Sequence, residues 1–283
     1  MSTVRTEEPQ VPAAASAAVS LDAPPPAGSV GFRQALTAEW AKLWTVRSTT
    51  WTLASLFVLG VGLTVIICAA SADWLASGDA DESPGSFVTW GMMFAQIPAV
   101  VLGIVVVTSE YARGLITATV AAVPRRTHVV LAKAVVVAGV LLAVATVTAF
   151  FGYWGGNAFL ESTGVGLTLD DDGVIRALIG CGLYAAVLGL FGMALGLLMR
   201  HTAAAVTTAL ALVFVVGNLV MLVPGAVGEW LAKLMPGNAG SSIAMVTPFE
   251  GMLLGPWTGF AVFCAETAVL LGVATLRFVR RDA

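Results

Sequence analysis

Six apolar stretches dominate this chain, at roughly residues 51–71, 87–108, 129–152, 174–198, 203–223 and 257–278. Each is long enough to cross a hydrocarbon layer about 30 Å thick, which takes about 20 helical residues. None carries an aspartate or arginine near its centre. Lipid offers no partner to a backbone N–H or C=O, so each stretch must satisfy its own backbone as a helix. The alternating pattern of barrel strands is missing. Composition points the same way: 58% of residues are hydrophobic and 11% charged, against about 25% charged in an ordinary soluble domain. The sequence therefore predicts an all-α integral membrane protein with six transmembrane helices, multi-pass in the plasma (cytoplasmic) membrane.

Lysine and arginine set the expected orientation, because they concentrate on the cytoplasmic side. With the N-terminus inside, every one of the 14 basic residues except Arg176 and Lys233 falls at the inner face. Both termini are then cytoplasmic. The outer loops carry Asp73, Asp79, Asp81, Glu82, Glu161 and Asp170–Asp172. Acids steer orientation weakly, so this second pattern is only consistent with the first.

Residues 1–30 include "VPAAASAAVSLDAPPPAGS", rich in Ala, Pro and Ser and without apolar periodicity. They read as a disordered cytoplasmic tail ahead of a six-span domain at 31–283. Within "FRQALTAEWAKLWTVRS", Phe32, Leu36, Trp40, Leu43 and Trp44 share one helical face, while Arg33, Glu39, Lys42 and Arg47 lie elsewhere on the turn. That is the pattern of an interfacial amphipathic helix. Between spans two and three runs "TSEYARGLITATVAAVPRRT", where Ile116, Val120 and Val123 recur at helical spacing and Pro124 ends the run. It reads as a short surface helix on the cytoplasmic side, framed by charge. Cys68, Cys181 and Cys264 each lie inside an apolar run and read as small packing residues.

The order of these features resembles the membrane subunits of type-2 ABC transporters, particularly actinobacterial ones. The resemblance covers roughly residues 32–281. "AEWAKLWTVRS" is similar to the family's connecting helix, and "SEYARGLITATVAAVPRR" to the stretch that opens its cytoplasmic coupling helix. Glu110, Tyr111 and Gly114 match the family's Glu–Tyr/Phe-x-x-Gly. Residues 224–255, cut into short pieces by Pro224, Pro236 and Pro248, look like the family's outer re-entrant helices between spans five and six. The resemblance implies a permease subunit of an exporter, paired with a second permease subunit, identical or not. It implies a separate ABC ATPase subunit engaging the 110–126 segment through Glu110, Tyr111, Arg113, Gly114, Arg125 and Arg126. It implies no cofactor on this chain, with ATP and magnesium on the partner, and no nucleic-acid partner. The sequence itself contains no GxxxxGK[ST] phosphate loop, and none of Lys42, Lys133 and Lys233 follows a glycine.

Individual residues leave alternatives open. Glu266 lies about mid-membrane, where a charge costs about 2.5–3.5 kcal/mol on insertion scales. It is either a pathway residue or a packing residue hydrogen-bonded to a group such as Asn218. Glu110 either pairs with Arg113 one turn away or meets an arginine of a partner. Gly182, Gly189, Gly192 and Gly196 on span four suit close helix packing, within the chain or between subunits. Pro98 should kink span two. Arg176 either snorkels to the surface or meets Asp170–Asp172. The main rival is an ion-coupled secondary transporter using Glu266, although no clear repeat of spans is visible. An enzyme ranks last, because HExxH, GxSxG and clustered acid–His pairs are missing.

Overall fold

A computed structural model describes residues 31–78, 80, 82–114, 126–220, 222–247 and 254–281. Among them every regular element is helical. The helices are α1 (Phe32–Thr45), α2 (Arg47–Ala76), the single turn α3 (Pro84–Phe87), α4 (Gly91–Ala112), α5 (Arg126–Ser162) and α6 (Val174–Met199). There follow α7 (Thr202–Val220), α8 (Ala226–Lys233), α9 (Pro236–Ser241) and α10 (Pro256–Arg281). Six of them, α2, α4 with the turn before it, α5, α6, α7 and α10, are long and apolar enough to cross a membrane. The architecture is that of a multi-pass membrane protein.

The six spans stand where the apolar stretches predict them, but two outrun their expected ends. α5 continues past 152 to Ser162, through Gly152, Gly155 and Gly156. These glycines do not break the helix, because they let α2 approach. A Cβ at Gly155 would lie 2.7 Å from a Val65 methyl, and one at Gly156 2.8 Å from Cys68 Sγ. α2 likewise runs over 47–76 rather than 51–71. Pro98 lies within α4, which continues through it from Gly91 to Ala112.

The centre of the molecule is α6, whose most apolar window is 78% buried, against 22% for α7 and for α10. Lipid supplies no hydrophobic drive between helices, so small residues at the contacts matter more than greasy ones. A Cβ at Gly103 of α4 would collide with the Gly189 carbonyl of α6, and one at Gly192 with the Val100 carbonyl. Gly182 faces Thr146 and the Leu142 carbonyl of α5. The glycine stripe of span four is therefore used inside the chain, between α4 and α5. Cys68, Cys181 and Cys264 are free thiols.

α7 contains a π-helical stretch at Ala211–Val216. Beyond it, α9 and a 3-10 turn (Ser242–Ala244) pack on α6 and α10, and α8 packs on α9 and the end of α7. Pro236 opens α9 at its first turn, where a missing N–H costs nothing. Pro248 lies outside the described residues. Arg176 does not meet Asp170–Asp172: its guanidinium donates to the Val246 carbonyl (2.9 Å) and the Ile243 carbonyl (3.5 Å), and so fastens this cap to α6.

Candidate functional site: a buried ion circuit joining α1, α4 and α5

The α1 end of the molecule gathers Arg33, Lys42, Arg47, Arg113, Lys133, Arg200, Arg277 and Arg280. Within it lies an arrangement that the sequence analysis did not foresee. α1 ends at Val46, whose extended backbone separates it from α2. Its buried line is Ala35, Glu39 and Leu43, four residues apart, whereas Phe32, Trp40 and Trp44 are exposed. The buried stripe is thus turned from the expected aromatic face, and it draws a carboxylate inward.

Glu39 meets Lys133, seven residues into α5, with Nζ to Oε2 at 2.5 Å. Lys133 also reaches Glu110 near the end of α4, at 3.0 Å to Oε1. Lys42 bridges the same two acids, at 2.7 Å to Glu39 and 3.2 Å to Glu110. Each lysine touches both carboxylates, so the four side chains close a circuit of zero net charge. Lys133 and Glu39 are each 6% exposed at the side chain, Glu110 10% and Lys42 44%. Within the chain Glu110 therefore pairs with Lys42 and Lys133 rather than with Arg113, which is exposed. Burial alone would raise the Glu39 carboxyl, but Lys133 and Lys42 outweigh it and hold the group below its ordinary 4.5. Burial would likewise lower Lys42, but Glu39 and Glu110 raise it above 10.5.

Glu110 lies four residues before Gly114 and Lys133 seven after Arg126, the described residues that flank segment 115–125. Gly114 has φ +66°, a left-handed conformation that stops α4 at low steric cost. Tyr111 lies under the Arg200 guanidinium, 5.3 Å from its ring centroid, which ties the end of α4 to the end of α6. The Thr202 hydroxyl donates to the Thr108 hydroxyl at 2.8 Å, and His201 Nδ1 accepts from the Ala204 amide at the start of α7. Phe32 meets His128 edge to face at 6.1 Å. The expected surface helix at 115–123 and Arg125 lie outside the described residues. Arg126 begins α5.

A cavity of about 320 Å³ opens beside the circuit, lined by Lys42, Ser48, Ser109, Glu110, Arg113 and Lys133 among others. Glu110 Oε2 is buried there without a hydrogen-bond partner among the described residues. The site holds paired charges on three helices rather than a nucleophile and its base. Its chemistry is that of a fastening: breaking a buried pair by removing one partner costs about 3–5 kcal/mol.

The two pathway candidates are not joined. Asn218 donates to the Phe214 carbonyl (2.6 Å) and lines a separate cavity toward the α8–α9 cap. Glu266 lies on α10, one turn from Phe263, which packs between the rings of Tyr184 (5.7 Å) and Phe191 (6.0 Å). Glu266 Oε2 and the neighbouring Thr267 hydroxyl are buried without hydrogen-bond partners among the described residues.

Of the circuit, only Glu110 was singled out in the sequence as a site residue. Lys133 looked like one more basic residue at the inner edge, and Glu39 like part of a wet face. The missed signal was spacing: Glu39 falls midway between Ala35 and Leu43 on one line of α1.

Comparison with curated proteins finds no match. Residues 86–283 match a family described as a protein of unknown function (DUF2705). The match spans well over half of the chain, takes in Glu110 and Lys133, and begins after α1 and α2. The chain belongs to this DUF2705 family.

Proposed function

We propose that the chain is the membrane-spanning permease subunit of an ABC exporter, driven by a separate ATPase that grips segment 110–126. In this reading both termini and the ion circuit face the cytoplasm. Trp40 and Trp44 of α1 sit in the headgroup layer, and α8 and α9 re-enter from the outer side. ATP and magnesium belong to the partner, and a second permease subunit completes the pathway.

The observation that carries this reading is the circuit itself. A force applied at 115–125 reaches Glu110 on one side of the segment and Lys133 on the other. Both are bound to Glu39 and Lys42 of α1, so α1, α4 and α5 move as one lever. Such a lever suits a partner that changes shape with nucleotide and rocks rigid helices. Tyr111 beneath Arg200 extends the connection to α6.

The test is gentle purification of the full chain from its own membrane. The expected result is a co-purifying ATPase whose binding is lost in R125E/R126E, with the six-span fold intact. Single cysteines at Ala112 and Thr168, in a chain whose native cysteines are replaced, report sidedness: Ala112→Cys should label from the cytoplasm and Thr168→Cys from outside. The reverse pattern, or transport that needs no ATPase, overturns the proposal.

One observation favours a second reading, an ion-coupled carrier. Among the described residues the buried Oε2 of Glu266 has no hydrogen-bond partner, as a proton-binding carboxylate in a span would. That reading requires Glu266→Gln to abolish gradient-driven uptake in vesicles that contain no ATP.

A further inference from the structure

At the end of the molecule away from the ion circuit, a cavity of about 380 Å³ opens between the start of α4, the first third of α6, the π-helical stretch of α7 and helix α9. Pockets that hold small molecules run from about 300 to 1,000 Å³. The cavity is built rather than left over. α7 widens into a π turn at 211–216 where it borders the space, a departure that recurs at functional sites. α9 docks on that turn backbone to backbone, because a Cβ at Gly237 would collide with the Val213 carbonyl. Gly240 lets the rings of Tyr184, which lines the cavity, and Phe263 pack close against α9.

The chemistry of the wall is selective. Among the described residues that line it there is no aspartate, glutamate, lysine or arginine. Trp90, Met92, Met93, Val213 and Phe214 supply apolar surface. Polar groups are few, and several of their donors are already used. The Tyr184 hydroxyl donates to Gln96 Oε1 at 2.7 Å. Gln96 Nε2 donates to the Met93 carbonyl at 2.7 Å. Asn218 Nδ2 donates to the Phe214 carbonyl at 2.6 Å. Asn238 Nδ2 donates to the Ala232 carbonyl at 2.9 Å and the Gly217 carbonyl at 3.5 Å. The Ser241 hydroxyl donates to the Asn238 carbonyl at 3.4 Å. What these groups leave for a guest is oxygen, on the amides of Asn218 and Asn238 and the hydroxyls of Tyr184 and Ser241, while the hydroxyls of Ser86, Thr89 and Thr247 donate to no partner among the described residues.

We infer that this cavity binds an uncharged, mostly apolar molecule that carries a hydroxyl group, which donates to these oxygens and accepts from these hydroxyls. An anion would meet no cation, and a cation would leave water with no carboxylate to replace it, each at a large desolvation cost. An apolar guest without a donor would strand the acceptors. The inference is independent of the permease reading, because binding needs neither an ATPase nor transport.

The experiment uses the full chain in lipid nanodiscs and four probes of one chain length: decanol, decanoate, decyltrimethylammonium and the methyl ether of decanol. Thermal unfolding reads binding, and a diazirine analogue of decanol with mass spectrometry locates it. The expected result is protection by decanol alone, with label on residues 86–96 and 237–245. Asn218→Leu should weaken decanol binding roughly two- to tenfold, the effect of one lost hydrogen bond. This position is exposed and its substitution leaves the helix contacts in place. Ser86→Phe, which fills the mouth, should abolish the label without lowering the unfolding temperature of the empty protein. Dioctanoylglycerol separates the two sources of such a guest: competition with decanol assigns it to the bilayer, and no competition assigns it to a solute. Equal protection by decanoate, decyltrimethylammonium or the ether, or label confined elsewhere, overturns the inference.

Discussion

Lys133→Met is the sharpest perturbation of the ion circuit. Methionine keeps the length of the side chain and removes its charge. Lys133 Nζ lies 2.5 Å from Glu39, 3.0 Å from Glu110 and 3.4 Å from the Val106 carbonyl, with 6% of the side chain exposed. Its loss leaves two nearly buried carboxylates facing one lysine, Lys42, which is 44% exposed. A buried pair broken on one side costs about 3–5 kcal/mol, most of it from the charge left without a partner. Glu39→Gln alone breaks the same pair from the other side, at a similar cost. The double variant restores balance, because Glu110 and Lys42 still form a pair. It should therefore be less destabilised than the sum of the two single variants, with a coupling of about 1–3 kcal/mol. Reversible unfolding of the purified protein in mixed micelles gives the three values. Hydrogen exchange adds location: α1 amides should open in Lys133→Met while those of α6 stay protected. Additivity within about 0.5 kcal/mol would refute the closed circuit.

The circuit should also be insensitive to pH over a wide window. Glu39 is depressed below 4.5, so its contribution is present above that value and lost as pH falls through the lower folded value. Lys42 is raised above 10.5, so its contribution is present below that value and lost as pH rises through the higher folded one. α1 protection by hydrogen exchange, corrected for intrinsic rates, should be flat from about pH 5 to pH 10. Gly103→Ala should destabilise by at least about 1–3 kcal/mol in micellar unfolding, since its Cβ meets the unyielding Gly189 carbonyl. Gly139→Ala, with open space around it, should be neutral or stabilising by about 0.5–1 kcal/mol. Arg176→Met strands the Val246 and Ile243 carbonyls and should speed amide exchange across 237–247, without moving that of α1.

The spans were legible because their signal is one-dimensional: an apolar run of sufficient length admits one backbone solution in lipid. Their ends were less legible, because a glycine reads as a break until the neighbour it admits is known. Gly155 and Gly156 need Val65 and Cys68, nearly a hundred residues earlier, to explain themselves. Asn218, one candidate partner for Glu266, donates to the Phe214 carbonyl instead, for a related reason. Sequence places both on spans, but only the rotation of α7 and α10 decides which faces meet.

The circuit was the least legible feature, and the reason bears on what it does. Glu39, Glu110 and Lys133 are separated by 94 and 23 residues along the pairs they form, so no local rule links them. Read singly, each has an ordinary explanation as a surface or anchoring charge. Their value appears only when α1 folds back against α4 and α5, and the arrangement that results is self-neutralising. A neutral circuit is a poor magnet for ligands but a sound joint. Its charges are satisfied by one another in the resting fold, and any displacement of one helix against another must separate at least one buried pair. The joint is therefore stiff to local motion and compliant only to movement of the three helices together. Glu110 and Lys133 stand on either side of segment 115–125 in the sequence, so the two helices that flank it, α4 and α5, are both held to α1.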